Sequence, residues 1–457
     1  MKIIYISVEV KARELLSKLF FIGNNINKGF TFFIGDKLAI KRAINLFGKG
    51  IYFYKSINKN DTKHITTIKN KENIYVSLDE EGGYVQSNYN YLDAFLQYRS
   101  SLKNVSLVDR IYTWGDFDFK VWRKKYRNHK KKIIRTGSPR LDLWRKDVYP
   151  KIFKEDIKQL KEKYGLFFFI PSTFYSSNFD LSVALSNEKK IKKNETSISL
   201  KKRIDAKKYT YYLFTVFVSL IKKLSKDFPR HKILIKPHPT ENLDNWKKKF
   251  NHTKYKNIVF ENSYDLTAYI AASDCVIFNS STAGLQSVIM GKKNIVFNGA
   301  KKDKSFRNFP NLCAKQISNY SLLKRELKKK FQPKQNQKYL KKIKSRIYIT
   351  KETCSKIIFN DIKKISKKQQ NNTNLNSSKI KLLSLIYIVI DRFFFVLSRI
   401  KTLVKSKRNI HLGSYEKKMG DGIYKNDIKA FFNKLDLNTK LEITQFGKNG
   451  YLINKKK

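Results

Sequence analysis

Short apolar runs alternate with amphipathic stretches from the first residues of the chain onward, and this alternation constrains the fold more than any other feature. A short apolar run followed by a helical pattern predicts a strand and a crossover helix, so successive strands are expected to be parallel. In the first part of the chain we predict strands at 2–8, 30–34, 51–54, 73–78, 106–114 and 132–136. The sequence therefore predicts the α/β fold class.

The same pattern starts again after Gly165, which ends a strongly charged helical stretch at 151–164. Glycine is a common helix terminator because it adopts a left-handed conformation without a steric penalty. Further strands are predicted at 166–170, 231–236, 257–260, 275–278 and 294–297. A chain of 457 residues has room for two such domains and an extension. We therefore predict two facing Rossmann-like domains, at 1–164 and 165–365, with a cleft between them.

The composition changes beyond about residue 365, where a polar linker is predicted at 366–379 and an apolar segment follows at 380–408. Its apolar stretch at 380–404 is interrupted by Asp391, Arg392 and Arg399. They disfavour a membrane span, which needs about 20 mostly apolar residues. We expect an amphipathic helix, either lying on the membrane surface or packed on the catalytic body. Residues 409–457 are predicted to form a small helical and hairpin appendage.

The chain carries 96 lysines and arginines against 37 acidic residues, a formal net charge of +59. The positive residues are spread along the whole sequence, which is typical of a general composition bias and not of one designed patch. Such a charge would still attract polyanions and anionic lipids. A non-enzymatic polyanion- or nucleic-acid-binding protein is therefore an alternative, although no basic recognition helix is set apart from the lysine background.

The cysteines and the N-terminus both favour a cytoplasmic location. Cys275, Cys313 and Cys354 are few, odd in number and widely spaced, so they predict neither a disulfide framework nor a zinc cluster. The apolar run at 1–10 is short, contains Glu9 and lacks a cleavage site, so it is interpreted as a first strand and not as a signal peptide.

In doubly wound sheets, ligands bind at the carboxyl ends of the strands, so the loops there are the places to search for chemistry. The first such loop is Asp79, Glu80, Glu81, Gly82 and Gly83. Adjacent carboxylates repel one another, which raises at least one pKa, and a carboxylate with a raised pKa can accept a proton from a hydroxyl group. An acidic surface turn is the simpler interpretation, but the position at a strand end favours function.

Two further polar loops follow strands of the second half, and a fourth loop follows the last predicted strand of the first half. Lys236, Pro237, His238 and Pro239 hold an imidazole between two prolines, where it can bond to a phosphate oxygen. The other loop, at 279–282, stands before a predicted helix. Hydroxyls and backbone amides at such a helix start either form an anion site that holds a nucleotide phosphate or simply cap the helix. The residues that we assign to this nucleotide site are Asn279, Ser280, Ser281 and Thr282, together with Ser172 and Thr173 after the strand at 166–170. A tight turn at 136–140 closes the first sheet and is as easily structural.

These motifs carry a resemblance to a known family. The segments VEVKARE, VSLDEEGG, TWGDFDF, TGSPRLD, KPHP and NSSTAG stand in this order over about residues 1–345. The chain thereby resembles the "surface carbohydrate biosynthesis protein" family. Its acidic-acidic-Gly triplet, His-Pro pair and Ser-Ser pair are similar to those of bacterial sialyl- and polysialyltransferases and capsule Kdo transferases.

The resemblance implies a GT-B fold and a set of roles. Glu80 matches the first acidic position of the triplet and would be the catalytic base, with Glu81 and Gly82 shaping its loop. His238 and Pro239 would bind the nucleotide phosphate, with Ser280 and Ser281 as partners. This chain has Gln286 where many GT-B enzymes have a ribose-binding glutamate, so the identity of the donor is less well defined.

The function that we predict is a glycosyltransferase of surface polysaccharide biosynthesis. A nucleotide-activated sugar, of a sialic-acid-like or Kdo type carried on CMP, would be transferred to a glycan or lipid-linked acceptor on the inner face of the cytoplasmic membrane. Cleft closure would bring Glu80 to the acceptor hydroxyl. No cofactor is expected. Asp116 and Asp118 form an Asp-x-Asp pattern, but we interpret it as a helix start and expect no metal.

Two enzyme alternatives remain. A glycerophosphotransferase that uses CDP-glycerol has similar motifs, but it would need a histidine in the first domain, where the candidates are His64 and His129. A non-hydrolysing sugar-nucleotide epimerase would have the same fold.

Overall fold

The computed structural model describes residues 2–82, 96–174, 178, 181–186, 197–238, 241–251, 253–299, 308–367, 382–391, 393, 397, 419, 422–437 and 440–456. The chain forms two compact units. The first comprises Met1–Leu143 and Lys344–Lys457, and the second comprises Trp144–Ile343.

A mixed sheet forms the centre of the first unit. Its strands in the described residues are β1 (Lys2–Ser7), β2 (Phe30–Gly35), β3 (Ile51–Tyr54), β4 (Ile74–Leu78), β5 (Arg110–Thr113), β6 (Ile133–Arg135), β13 (Leu441–Gln445) and β14 (Gly450–Lys455). They are ordered β13-β14-β2-β1-β3-β4-β5-β6, and β1 to β6 pair in parallel. The parallel pairing of β1 to β6 agrees with the predicted alternation of strands and helices.

Helices cover both faces of this sheet, which explains why its central strands are almost entirely apolar. All six residues of β2 are buried, for example. The helices with described bounds are α1 (Lys11–Gly23), α2 (Lys37–Phe47), α3 (Thr62–Lys69), α4 (Leu102–Leu107), α5 (Asp116–Lys125), α6 (Pro139–Asp142), α17 (Cys354–Ile365) and α18 (Lys425–Asn433).

The C-terminal residues that the sequence predicts as an appendage extend this sheet. The strands β13 and β14 form an antiparallel hairpin, and β14 pairs antiparallel with β2, with Tyr451 opposite Ile34. Tyr451 and Ile453 are buried. The hairpin therefore belongs to the first unit, because its apolar residues complete the edge of the first sheet.

The second unit contains a fully parallel sheet among the described residues. Its strands are β7 (Phe167–Pro171), β8 (Lys232–Lys236), β9 (Ile258–Phe260), β10 (Cys275–Phe278), β11 (Asn294–Phe297) and β12 (Lys315–Ile317), in the order β12-β11-β10-β7-β8-β9. Its helices are α7 (Tyr149–Ile152), α8 (Lys154–Tyr164), α9 (Leu181–Ser186), α10 (Ser197–Asp227), α11 (Leu243–Lys247), α12 (Leu266–Ala272), α13 (Ala283–Ile289), α14 (Phe309–Leu312), α15 (Tyr320–Lys328) and α16 (Gln337–Lys344).

The compact units differ from the predicted domains 1–164 and 165–365 at both ends. The helix α8 packs on α12, so residues after Leu143 belong to the second unit. The helix α17 returns to the first unit, where Phe359 contacts the rings of Phe21 and Phe30. The predicted boundaries follow the periodicity of the sequence, whereas these helices are assigned by the sheet on which they pack. The predicted linker at 366–379 lies almost wholly outside the described residues.

One buried carboxylate fixes the start of α17. Asp142 is 1% exposed and accepts hydrogen bonds from the backbone amides of Cys354 and Ser355, at 2.8 and 2.9 Å, and from the Ser355 hydroxyl at 2.6 Å. A carboxylate at this position satisfies amides that have no partner within the helix.

We expect Asp142→Ala to lower the free energy of unfolding by about 3 kcal/mol, because it leaves buried donors without an acceptor. Chemical denaturation measures this. Asp142→Asn keeps one acceptor oxygen, so its free energy of unfolding should fall by less. Asp147→Ala, at a carboxylate that is 68% exposed, serves as a surface control. Equal losses for Asp142→Ala and Asp147→Ala would contradict the assignment.

Candidate functional site

The loops after neighbouring strands of the first unit bring charged side chains to one edge of the sheet. The strands β1, β3 and β4 lie side by side, and parallel strands end at the same edge. The acidic loop that follows β4 therefore lies next to Lys55, which follows β3, and next to α1, which follows β1.

Glu80 is buried in this cluster and is 6% exposed. Its Oε1 lies 3.4 Å from Nζ of Lys18, whereas its Oε2 is buried and makes no hydrogen bond to the residues that the structure describes. Burial raises the pKa of this carboxyl above its ordinary value; Lys18 opposes the rise, and the neighbouring Glu14 adds to it. One oxygen of Glu80 is thus buried without a hydrogen-bond partner among the described residues.

Lys18 is the counter-ion of two carboxylates. Its Nζ donates to Oε2 of Glu14 at 2.8 Å and to the carbonyl oxygen of Ser7 at 2.6 Å. Glu14 is fully buried, and its Oε1 lies 3.6 Å from Nζ of Lys55. Burial disfavours the charge of Lys18, but Glu14 and Glu80 outweigh it and raise its pKa. The arrangement keeps charges inside the protein because each has an opposite charge beside it.

Sequence reasoning missed Glu14 and Lys18. Both stand on α1, four residues apart, so they share one helix face. The burial of that face was not visible in the sequence, because a glutamate and a lysine at this spacing are usually an exposed surface pair. The available signal was their position on the first helix after a strand, inside the motif VEVKARE and just beyond it.

Two arginines hold the remaining carboxylates of the acidic loop. Arg13 Nη1 donates to Glu81 Oε1 at 2.9 Å, and Arg99 pairs with both Glu81 and Asp79. The Glu81 amide also donates to Asp79 Oδ1 at 2.9 Å. Glu81, which we predicted to shape the loop, therefore pairs with two arginines from outside the loop and bonds to Asp79 within it.

Gly82 lies against the indole ring of Trp114, and a Cβ at this position would overlap the ring. The indole nitrogen of Trp114 donates to the carbonyl oxygen of Asp79 at 2.6 Å. A glycine is required here by close packing. Gly83 lies outside the described residues.

The tight turn at 136–140 joins the same cluster. Gly137 has a φ of +75°, in the left-handed region that favours glycine. The turn directs Arg140 so that its Nη1 donates to the carbonyl oxygen of Glu80 at 3.1 Å. The fourth predicted loop thus contacts the first.

The Asp-x-Asp residues lie in the first turn of α5, the helix start that the sequence predicts. Asp116 pairs with Arg135, and Asp118 is 6% exposed. In the part of the chain that the structure describes, no group of three or more histidine, cysteine or acidic residues is arranged to hold a metal ion.

The polar loops of the second unit also meet at one edge of their sheet. The strands β10, β7 and β8 are neighbours. The Ser172 amide donates to the carbonyl oxygen of Lys236 at 3.0 Å, and the Thr173 hydroxyl donates to the carbonyl oxygen of Asn279 at 3.0 Å. These bonds link the loop after β7 to the loops on either side.

Glu241 organises the loop after β7. The Ser172 hydroxyl contacts both of its carboxylate oxygens, at 2.7 and 2.6 Å, and the Phe174 amide donates to Oε1 at 2.7 Å. The Trp246 indole donates to Oε2 at 2.7 Å. Sequence reasoning missed Glu241, although it stands only three residues after His238.

The loop after β8 contains Lys236 and His238. Lys236 lies over the ring of Tyr269, and its Nζ donates to the carbonyl oxygens of Asn262 and Tyr264 at 3.3 and 3.1 Å. Burial lowers its pKa. His238 is partly exposed. Pro239, which we predicted to share the phosphate site with it, lies outside the described residues.

Ser280 has a strained backbone at the end of β10. Its φ is +59°, which is uncommon for a residue other than glycine and recurs at functional sites. Its amide donates to Oδ1 of Asn311 at 2.7 Å, and its hydroxyl donates to Oδ1 of Asn279 at 2.8 Å. Asn311, which the sequence did not indicate, thereby holds the serine turn in place.

The next two residues lead into α13. The Ser281 hydroxyl accepts from the Ala283 amide at 3.3 Å, and Thr282 occupies the N-cap position. Ser281 is 6% exposed. This contact is the helix-capping alternative that the sequence left open.

Gln286 is directed into the second unit and is 3% exposed. Its amide nitrogen donates to the Thr267 hydroxyl at 2.8 Å. A contact with a ribose would require this side chain to leave that bond and its buried position.

The first-unit histidines lie in different surroundings from the acidic loop. His64 stands on α3, its Nε2 is 2.9 Å from the Tyr52 hydroxyl, and its ring packs on Tyr52 and Tyr54. Burial lowers its pKa to about 4. His129 lies in a short helical turn among lysines.

Comparison with known proteins adds information on the fold. No protein-family model matches the sequence, and no curated protein matches it either. Among solved structures, a putative UDP-N-acetylglucosamine 2-epimerase from Listeria monocytogenes aligns over 82% of this chain and 100% of its own, with 10% identity and a TM-score of 0.50.

Two others are the wall teichoic acid polymerase TagF and the UDP-GlcNAc 2-epimerase from Neisseria meningitidis. The first is 15% identical over 80% of this chain and 89% of its own, with a TM-score of 0.48. The second is 11% identical over 80% of this chain and 100% of its own, with a TM-score of 0.45. At 10% identity, the likeness to the Listeria monocytogenes structure shows the fold alone. It confirms the predicted α/β, GT-B-like class with two Rossmann-like units.

Proposed function

We propose that this protein is a nucleotide-sugar-dependent glycosyltransferase of surface polysaccharide biosynthesis. The observation that carries the proposal is Glu80, a buried carboxyl with a raised pKa and one oxygen without a hydrogen bond among the described residues. It follows β4 at the carboxyl end of the sheet, where ligands bind in folds of this kind.

The environment of Glu80 suits a general base. A base acts best when its pKa is close to the working pH, and burial moves a carboxyl in that direction. In the proposed step, the packing around the buried Oε2 opens to admit the acceptor, and Oε2 takes the proton of an acceptor hydroxyl. The hydroxyl oxygen bonds to the anomeric carbon, and the bond from that carbon to the nucleotide phosphate breaks. The first unit would therefore bind the acceptor.

The second unit would bind the donor. Its three neighbouring strand ends place Ser172, Thr173, His238 and Ser280 at one edge of the sheet. Hydroxyls, amides and an imidazole are groups that hold a phosphate, and His238 would stabilise the charge on the departing nucleotide. No metal or cofactor is part of this proposal.

The donor that we propose is a sialic-acid-like or Kdo-type sugar carried on CMP. This choice rests on the resemblance of the Glu80–Glu81–Gly82 triplet and the His238–Pro239 pair to the motifs of sialyl- and Kdo transferases. The acceptor would be a glycan or a lipid-linked glycan.

A CDP-glycerol-dependent glycerophosphotransferase is the second candidate. It would need a basic histidine in the first unit, but His64 has a pKa near 4 and packs among tyrosines. Glu80, whose pKa is raised, is a better general base than His64, whose pKa is lowered. An epimerase, which shares the fold, would convert the nucleotide sugar without any acceptor.

A thermal-shift screen with CMP, CDP, UDP and GDP tests the donor site. A ligand that binds only the folded state adds about 2.7 kcal/mol of stability at 100 times its Kd, so the matching nucleotide should raise the Tm by several degrees. We expect CMP or CDP to do so. Stabilisation by UDP alone would contradict the proposed donor.

The control for this screen is a matched pair of histidines that flank β8 in the sequence. His238→Ala, at the carboxyl end, should reduce the nucleotide-induced shift. His231→Ala, at the amino end, removes a ring that stacks on Phe168 and should lower the Tm without affecting the shift. A shift that survives His238→Ala unchanged would remove His238 from the site.

A further inference from the structure

A helix near the C-terminus has two apolar faces. Residues 382–391 are helical and belong to the first unit. They fall within the segment that the sequence predicts as an amphipathic helix at 380–408. Among the described residues, no helix is long and apolar enough to cross a membrane.

The inner face of this helix is fixed to the protein. Leu383 and Tyr387 pack against the core of the first unit, and the Tyr387 ring contacts Phe446 at 5.1 Å. Asp391 pairs with Arg42 at 2.6 Å and accepts from the Lys448 amide at 2.8 Å. The helix is therefore held in one orientation.

The outer face is also apolar, but it is exposed. The exposed residues are Leu382 at 60%, Leu385 at 62%, Ile386 at 44%, Val389 at 66% and Phe393 at 61%. Their spacing of 3, 4, 7 and 11 residues from Leu382 places them on one stripe of about 100° on a helix with 3.6 residues per turn. A contiguous exposed stripe of this kind marks an interaction surface.

The charge around the stripe is positive. Leu385 lines an open depression together with Lys425, Lys429 and Lys456, and Glu442 is the acidic residue that lines it. In the sequence, the segment 379–408 contains eight basic residues and one acidic residue, and that one, Asp391, is paired with Arg42. Lysines beside an apolar stripe can reach the headgroups of anionic lipids while the stripe enters the acyl boundary.

We infer that this outer face docks the protein on an anionic lipid surface. A second copy of the chain fits the surface less well, because each copy carries a net charge of +59 and would bring a similarly basic rim to the contact. The fixed inner face sets the orientation, so the membrane lies on the side of the first unit that the stripe occupies. This inference does not depend on the proposed reaction.

Vesicle sedimentation tests the inference. The full chain should bind vesicles of phosphatidylcholine with about one third phosphatidylglycerol, and should bind pure phosphatidylcholine at least tenfold more weakly, because each basic residue near an anionic surface adds to the affinity. Leu385→Gln with Val389→Gln should weaken binding to the anionic vesicles at least tenfold. Glutamine is a good helix former and leaves the net charge unchanged.

A matched double variant provides the control. Leu102→Gln with Leu322→Gln changes two leucines that are 63% and 47% exposed outside this helix, and it should leave binding unchanged. Circular dichroism and the Tm show whether each variant is folded. Equal binding by the native chain and the Leu385→Gln/Val389→Gln variant would overturn the inference, since the lysines alone would then account for vesicle binding without the apolar stripe. A native dimer that this variant converts to a monomer, without vesicle binding, would also overturn it.

Discussion

Replacing Glu80 by glutamine is expected to lower the rate of glycosyl transfer roughly 10²–10⁴-fold, the usual contribution of a positioned general base. Glutamine has nearly the same shape but cannot accept the proton. The fold should persist, because Lys18 keeps its bonds to Glu14 and to the Ser7 carbonyl. The measurement is kcat with the donor that the thermal-shift screen selects, together with the Tm shift that this donor causes.

The control is Glu72→Gln, since Glu72 is 74% exposed and pairs only weakly with Lys49 at the surface. It removes one carboxylate outside the cluster and should retain full turnover. Full turnover in Glu80→Gln would refute the assignment of the base. Loss of the nucleotide-induced Tm shift in Glu80→Gln would instead indicate a structural role for this residue.

Replacing Lys18 by methionine is expected to lower the free energy of unfolding by about 3–5 kcal/mol. Removing one member of a buried ionic group leaves its partners uncompensated. Glu14 and Glu80 would be those partners, and both are nearly inaccessible to water. Denaturation in urea measures the loss.

The same substitution should change the pH dependence of transfer. Lys18 opposes the rise of the Glu80 pKa. Without the cation, that pKa rises further, so the acid limb of kcat/KM should move to higher pH. An unchanged acid limb in a folded Lys18→Met protein would show that Lys18 does not position or tune the base.

Two variants keep this prediction testable if Lys18→Met folds poorly. The double variant Lys18→Met/Glu80→Gln removes one of the stranded carboxylates and should be more stable than Lys18→Met alone. Lys49→Met, in the exposed pair with Glu72, should change the stability little. Additive losses in the double variant would contradict a direct coupling of Lys18 with Glu80.

Glu80 also links stability to pH. Its pKa is higher in the folded protein than in the unfolded chain, so the folded state binds this proton more tightly. Its contribution to the free energy of unfolding therefore falls as the pH rises from the ordinary glutamate pKa through the raised one. Glu80→Gln should remove this part of the pH dependence.

Much of the fold was predictable, because strands and helices of an α/β protein have distinct periods. The predicted run at 30–34 became β2, and the runs at 275–278 and 294–297 became β10 and β11 with the same bounds. The predicted run at 106–114 became a helix and a shorter strand, α4 and β5. Local pattern does not separate a short helix from an adjoining strand when both are partly apolar.

The site was predictable at the level of its loops and not at the level of its contacts. Glu80, His238 and Ser280 follow strands, so their place at a sheet edge could be inferred from the chain alone. The contacts made by Lys18, Glu241 and Asn311 could not be inferred from the sequence. They depend on which helix faces and loops pack beside these strand ends in the folded protein.

The sequence by itself determined the two α/β units and the strand ends that carry the polar loops, since the periodicity of apolar residues and the turn residues after each run are local properties. Only the tertiary structure decided that Glu14 and Lys18 are buried beside Glu80, that α17 returns to the first unit, and that β14 completes the first sheet. These outcomes join residues far apart in the chain, for example Tyr451 with Ile34 and Ser355 with Asp142. They depend on packing of complementary surfaces, which no local window of sequence contains.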